Sequence, residues 1–562
     1  MDPEARRLSF ALSIVVVIAL SIVQPLSLAQ PQRERRVAAT EPTPTPTSAP
    51  TASPASSRPI SAAPAPQTLA ELLSRIQEVV RQPALDPGFF AVKIVSLDTG
   101  NVIYEQNANK FVRPASNMKL YTVAAALDRL TPDYHFMTSV YAKEKVDDGK
   151  IKGDLIIYGR GDLSIAARFN DGDYFKGIND LADRIVAAGV KRVKGDLVGD
   201  ESYFNGTPLG GGWEWEDLQW ADGAQVSALT INDNVIDVTV KPGEKPGAPL
   251  VITTAPGPFI AIANRGTTSA RGGKSDLRLY RAVGANVLEI SGGLPVGDNG
   301  FEGKVAIPDP ALAFVTMLRD ALVKRGVKVD GRLRTIDVRS GTSIVPDPWP
   351  PLMQLNFVPQ SQLTEIASIQ SPPFGLIAAQ TLKPSQNLYT ELILRTLGKQ
   401  IRTLPAEQIE GPLHTGRTSE EAGLIEVRDF LRQAGVSESE LVINDGSGLS
   451  RNDMITANAT VQLLTFMSKH RYFATFRDAL PIAGVDGTLR TRMRGTPAEG
   501  NLRAKTGSLS SVASLSGYVT TAAGEHLVFS MMLNNYPSAS AVRRDSIDAI
   551  AILLASFAGR SQ

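Results

Sequence analysis

The chain contains no cysteine. That one absence removes disulfides, thiolate metal sites, a cysteine nucleophile and a lipid-acylated cysteine. Histidine is almost as scarce, with 4 residues in 562: His135, His414, His470 and His526. None lies in an H-E-x-x-H helix, and no serine sits in a G-x-S-x-G elbow, so the zinc-hydrolase and nucleophile-elbow patterns are missing. Isolated histidines of this kind are ordinarily surface or core residues. An excess of one charge is lacking too. The 58 Lys and Arg against 57 Asp and Glu leave a net charge of +1, which gives no electrostatic ground for a nucleic-acid partner. A hydrolase built from this sequence must activate its nucleophile without histidine, thiol or metal, and nothing calls for a cofactor.

At 562 residues, 43% of them hydrophobic, the chain exceeds one ordinary domain and can bury more than one core. Arg6 and Arg7 precede an apolar run, Leu8–Val23, broken by Pro25 and followed by Ser27-Leu28-Ala29. This is the layout of a secretory signal peptide over residues 1–29; an uncleaved membrane anchor is the alternative. Either way the expectation is an exported protein, periplasmic or otherwise extracytoplasmic, with peripheral membrane or wall association open to it. Residues 30–68 are Pro, Ala, Thr and Ser with few large apolar side chains. Such a stretch cannot bury enough surface to offset its ordering entropy and is expected to be a disordered linker.

Order is expected from Leu69. Apolar spacing predicts helices over Leu69–Val80, from Pro114 through Leu127, and near 180–188, 310–326, 363–369, 388–398, 419–434, 456–468 and 541–557. Strands are predicted over Phe89–Ser96, 102–105, 514–520 and 526–534, with short strands and Gly/Asp-rich turns from about Phe136 to Thr342. The layout reads as α/β, then a β-rich insert, then α/β again.

Lysine can replace histidine as a base. Ser116-Asn117-Met118-Lys119 opens a predicted helix, where positions three apart share a face. A serine hydroxyl needs a neighbouring base to take its proton, and an amine serves only if burial or a nearby cation lowers its pKa. By itself S-x-x-K is a weak signal, and a capped surface helix is its ordinary meaning. Two further elements change its weight. Ser385-Gln386-Asn387 begins another helix, offering a hydroxyl for proton relay and an amide for a substrate carbonyl. Lys505-Thr506-Gly507-Ser508 lies on a strand-like run. Lys505 adds a second cation that could attract a substrate carboxylate and help hold Lys119 neutral. Gly507 would let a substrate backbone approach an edge strand. Thr506 and Ser508 could bond a terminal carboxylate, and the Ser508 and Ser116 N–H groups could form an oxyanion hole. This ordered set is the one known from penicillin-binding proteins and class A β-lactamases.

With these motifs, the sequence resembles the D-Ala-D-Ala carboxypeptidase/endopeptidase family of low-molecular-mass class C penicillin-binding proteins. The likeness runs from about Leu69 to the C-terminus. It is carried by Pro114–Lys119, Ser385–Glu391, Asp445–Arg451, Gly484–Leu489 and Ala504–Ser508, and by Ala224–Leu229 and Asn232–Asn234 in the long insert. One departure is Gly159-Arg160-Gly161-Asp162-Leu163-Ser164, where the family more often has three glycines and Asp-Pro; it is expected to alter a turn in the insert and not the chemistry.

The resemblance implies an α/β (α+β) penicillin-binding, β-lactamase-like serine transferase core with a nested pair of β-rich insert domains. The catalytic domain would comprise 69–135 and 356–562, one insert 136–240 and 304–355, and the nested one 241–303. It implies acylation of Ser116 by peptidoglycan stem peptides, Lys119 as base, Ser385 and Lys505 as proton relay, Asn387 on the substrate, and β-lactams as inhibitors. Asp217 and Arg451 are candidates for a zwitterionic stem-peptide side chain, with ordinary surface charge as the rival explanation. A β-lactamase stays open as an alternative. Glu440-Leu441-Val442-Ile443-Asn444 mimics its E-x-x-L-N loop, although the stretch reads as sheet. A non-catalytic wall-binding protein of the same fold and a transpeptidase are the remaining alternatives.

Overall fold

The computed structural model describes residues 64–257, 259–338, 362–400, 417–536 and 541–561. The signal-peptide expectation and most of the linker expectation lie outside these residues. Among the described residues no helix is long and apolar enough to cross a membrane.

Two distant parts of the chain build one antiparallel sheet of 5 strands. Its order is Val102–Gln106, Phe89–Ser96, His526–Asn534, Val512–Thr520 and Arg503–Leu509. The strands Val512–Thr520 and His526–Asn534 are rich in Val, Leu, Met and Phe and are buried along almost their whole length, as strands covered on both faces require. Helix Leu69–Val80 and the C-terminal helix Ala541–Ser556 cover one face, with Leu72, Ile76, Ile550 and Leu554 fully buried there. The helices Met118–Leu130, Asn387–Gln400 and Ala457–Ser468 pack with Ala91, Val528 and Met532 in a second cluster. Arg503–Leu509 is left as an edge strand, paired on one side with Val512–Thr520.

Helix Met118–Leu130 is buried on nearly all sides. An all-round apolar helix of this kind belongs in a core, and it carries the S-x-x-K lysine there. A 3-10 turn, Ala115–Asn117, precedes it. Asn387–Gln400 is equally buried through Leu397.

Between these parts stands a second 5-stranded sheet, ordered Leu333–Val338, Leu197–Asn205, Leu155–Gly159, Met137–Ala142 and Thr364–Gln370. Helices Lys176–Ala187 and Pro310–Lys324 share its apolar cluster. Smaller sheets built on Val235–Lys241 and Val287–Ser291 enclose a further cluster around Ile236, Val238, Leu288 and Ile290.

One expected element differs in kind. Residues 363–369 are not helical: Thr364–Gln370 is a strand, antiparallel to Met137–Ala142. Its β-branched Thr364, Ile366 and Ile369 suit a pleated surface, and the distant partner strand overrides a helix-like apolar spacing. Leu441–Val442 does pair as sheet, with Met454–Ile455.

Candidate active site

The three motifs converge. Lys119 is fully buried, and its Nζ lies 2.9 Å from Ser116 Oγ, 2.6 Å from Asn387 Oδ1 and 2.7 Å from the Ser447 carbonyl oxygen. On the other flank Lys505, also fully buried, donates to Ser385 Oγ and to the Thr506 carbonyl, both at 2.8 Å. Ser116 and Ser385 remain partly accessible at the mouth of this arrangement.

The hydrogen-bond inventory of Lys119 has a chemical meaning. Two of its three neighbours, the Asn387 and Ser447 oxygens, can only accept; Ser116 Oγ can accept or donate. An ammonium satisfies all three. A neutral amine gives its two N–H groups to the obligate acceptors, and its lone pair is left facing the Ser116 O–H. Burial lowers the Lys119 amine to about 8, against the opposing pull of Asp445, Glu391, Asp222 and Asp453.

Burial is the first cause at both lysines, and the repulsion between two such cations is mutual. Burial lowers Lys119, and burial and then Lys119 hold Lys505 well below the usual lysine range. Lys119 has four carboxylates pulling its proton back; the groups that shift Lys505 are burial and a second cation.

Local structure explains why these side chains meet. Ala115 takes φ 49° and Ser385 φ 66°, both left-handed and costly for residues with a Cβ. Each is held by neighbours. At the first, Ser514 Oγ donates to the Pro114 carbonyl at 2.8 Å and Asn117 Nδ2 to Ser516 Oγ at 2.7 Å. Gly448, at φ 78°, packs so closely that a Cβ there would stand 1.9 Å from the Ala115 oxygen. At the second, Lys383 donates to Asp486 at 2.6 Å, and the Lys383 carbonyl accepts from Thr488 N at 3.0 Å.

Gly507 needs a different explanation from the one expected. A Cβ there would fall 2.2 Å from Ser514 Oγ and 2.7 Å from the Pro114 oxygen, so the turn that carries Ser116 already demands glycine. Ser508 is exposed, whereas Thr506 is buried and donates to Thr488 Oγ1 at 2.7 Å.

Asp217 and Arg451 do come together, as a pair: Arg451 Nη2 stands 3.3 Å from Asp217 Oδ2 and 3.0 Å from Glu214 Oε2. Asn387 is engaged at both ends, since its Nδ2 donates to the Asp222 carbonyl at 3.0 Å. The same helix, Asn387–Gln400, makes a further polar contact where Tyr389 donates to Asp233 at 2.5 Å, a carboxylate that also pairs with Arg168.

Several residues of the site have roles that the sequence alone does not announce. The Ser447 carbonyl has no side-chain signature. Glu391 is fully buried and accepts from Ser447 N at 2.8 Å; burial, then Asp445 and Glu420, raise its carboxyl to about 8. Thr488 touches Thr506. All of them lie within motifs already quoted, so position in the pattern was the available signal. Among the described residues no group of three or more His, Asp or Glu could hold a metal ion.

The chain is 34% identical over 505 residues to the D-alanyl-D-alanine carboxypeptidase of an Actinomadura species, covering 87% of this chain and 86% of that one. It is 25% identical to the D-alanyl-D-alanine carboxypeptidase DacB of Haemophilus influenzae, covering 80% and 85% of the two chains. The crystal structure of penicillin binding protein 4 from Haemophilus influenzae shares the fold, with a TM-score of 0.68 at 22% identity over 85% of this chain and 97% of that one. The sequence pattern of the D-Ala-D-Ala carboxypeptidase 3 (S13) family matches residues 72–557, and the chain belongs to that family.

Proposed function

We propose that this family member works as a serine D-Ala-D-Ala carboxypeptidase through an acyl-enzyme on Ser116. The observation that carries this reading is the lone-pair accounting at Lys119: with Asn387 and Ser447 claiming both N–H groups, the neutral amine is left to take the Ser116 proton. Ser116 Oγ bonds to the carbonyl carbon of the penultimate D-alanine. The carbonyl oxygen becomes an oxyanion, which the Ser116 and Ser508 N–H groups would stabilise. Collapse breaks the C–N bond, and the proton held by Lys119 passes through Ser385 and Lys505 to the departing amine. Water then attacks the ester; its oxygen bonds to the acyl carbon, the bond from that carbon to Ser116 Oγ breaks, and one proton of the water returns Ser116 to the hydroxyl form.

The substrate's terminal carboxylate would lie near Lys505, Thr506 and Ser508, restoring the charge that burial and Lys119 disfavour on Lys505. The sheet-edge position of Arg503–Leu509 suits binding by strand addition. When the leaving amine belongs to a crosslinked strand, the same steps constitute endopeptidase action on peptidoglycan. Arg451 and Asp217 would contact the stem-peptide side chain by opening their mutual pair. The catalytic region would be 69–135 with 356–562, and 136–240, 304–355 and 241–303 the inserts, in a protein exported by residues 1–29.

The β-lactamase alternative requires a carboxylate free to activate the deacylating water. Glu440 is committed elsewhere, accepting from Thr456 Oγ1 and Asn458 Nδ2 at 2.9 Å. The test is mass spectrometry after incubation with benzylpenicillin and, separately, with a crosslinked muropeptide. A stable adduct on Ser116 with D-alanine release or crosslink cleavage is expected; rapid penicillin turnover would favour the β-lactamase, and no adduct the non-catalytic binder.

A further inference from the structure

The peptide between Ser447 and Gly448 is held from both ends. Its carbonyl accepts from Lys119 Nζ at 2.7 Å, and its N–H donates to Asp445 Oδ1 at 2.6 Å. The other Asp445 oxygen accepts from Ser450 N at 2.7 Å and Trp213 Nε1 at 2.9 Å, with Ser447 Oγ at 3.3 Å. Asp445 is fully buried, so its carboxylate is satisfied entirely by protein donors. The preceding peptide is fixed as well: Ser447 N donates to Glu391, and the Gly446 carbonyl accepts from Thr122 Oγ1 at 2.8 Å, on the same helix as Lys119. Gly448 wedges against the Ala115 carbonyl. A peptide so gripped cannot rotate its carbonyl away from the amine. A charged acceptor on one end of an amide also strengthens the other end as an acceptor, most of all in a low-dielectric interior.

We propose that Asp445 is a positioning residue for acylation: through the Gly448 N–H it aims the Ser447 carbonyl at Lys119 and so decides which face of that amine turns toward Ser116. This rests on the reading of Ser116 as nucleophile and Lys119 as base. Asp445 acts in two opposing ways. Its geometry presents the lone pair, and its charge helps keep the proton on Lys119. The charged groups bearing on Lys119 are Asp445, Glu391, Asp222 and Asp453, with Lys505 coupled to it; those bearing on Asp445 include Glu391, Glu420 and Asp453.

Asp445→Asn removes the charge and keeps an oxygen for the Gly448 N–H, and Asp445→Ala removes both, so the two variants separate the two actions. Acylation by a fluorescent penicillin, measured against pH and normalised to folded protein, is expected to fall about a hundredfold at its plateau in Asp445→Ala and by much less in Asp445→Asn. In both the acidic limb is expected to move down by about one pH unit as a neighbouring negative charge is lost. An Asp445→Ala limb that moves while the plateau holds would mean that Asp445 acts as a charge alone, and would overturn the positioning role. So would a lowered Tm with both features unchanged. A second measurement uses the wild-type enzyme and decides the matter if the variants do not fold. With isotope-labelled glycine, the Gly448 amide resonance is expected far downfield and titrating with the midpoint of the acylation limb; an amide that ignores that titration would sink the proposal. If the wild-type enzyme itself takes no label on Ser116, the failure belongs to the nucleophile assignment and not to Asp445.

Discussion

Lys505 Nζ reaches Ser385 Oγ at 2.8 Å while Ser385 stands in left-handed backbone at φ 66°. A serine in that region costs on the order of 1–3 kcal/mol and persists only where surrounding structure over-determines it. Here the constraint comes from the Gly484–Leu489 segment. Asp486 takes the Lys383 ammonium at 2.6 Å and the Ile482 N–H at 2.9 Å, and a Cβ on Gly487 would stand 2.6 Å from the Lys383 oxygen.

Releasing that clamp is expected to misplace Ser385 without touching Ser116. Asp486→Ala should reduce D-alanine release by about tenfold to a hundredfold through loss of alignment. Steady-state assays with a pentapeptide, beside a thermal unfolding curve, check this. An unchanged kcat would show that the clamp is irrelevant to the relay.

The pH dependence of acylation should follow Lys119. Its amine must be neutral to accept a proton, and its neutral fraction grows with pH up to about 8. Acylation should therefore rise about tenfold per pH unit on the acidic side and level off above that value. Stopped-flow trapping with a β-lactam reads this directly. A flat profile from neutral pH downward would contradict a lysine base.

Gly448→Ala should be among the most damaging single-methyl changes in the chain. The added carbon would lie 1.9 Å from the Ala115 oxygen, at a backbone angle of φ 78° that disfavours a Cβ. A cost of roughly 3 kcal/mol or more is expected from overpacking and backbone strain together, with loss of penicillin labelling. Chemical denaturation and gel fluorescence measure the two effects.

Asp162 makes a separate prediction about stability. It is 1% exposed, its Oδ1 accepts from Ser164 N and Oγ, and its Oδ2 lacks a partner among the described residues. Burial raises its carboxyl from 3.8 to about 6. The folded state thus binds a proton that the unfolded chain releases. The stabilising contribution is whole below about 3.8 and is lost as pH rises to about 6. Asp162→Asn keeps the accepting oxygen and removes the charge. It should stabilise the protein by about 2 kcal/mol at neutral pH and by little near the acidic end. Urea unfolding at the two pH values provides the check.

Much of this was legible in the residues. Ser116, Lys119, Ser385, Asn387 and Lys505 stand out because their chemistry depends on side-chain type and short spacing. The Ser447 carbonyl does not, because every residue carries one, and only a folded loop says which is aimed at an amine. Residues 363–369 read as helix because Leu363, Ile366 and Ile369 repeat every three positions, yet a strand more than two hundred residues earlier determines their state. Gly507 was marked for the right kind of reason, close approach, but the approaching group is Pro114 and Ser514 of the same chain. Burial, which sets the behaviour of both lysines, is a tertiary property that spacing does not report.

The Asp222 carbonyl lies in the long intervening segment, and it receives the Asn387 amide. An enzyme pared down to its two outer stretches would keep every motif and still lose a supporting contact of one of them. Miniaturising this protein by excision is therefore not a matter of deleting an appendage: whatever joins Phe136 to Ser371 in a shortened version would have to supply a replacement acceptor for that amide.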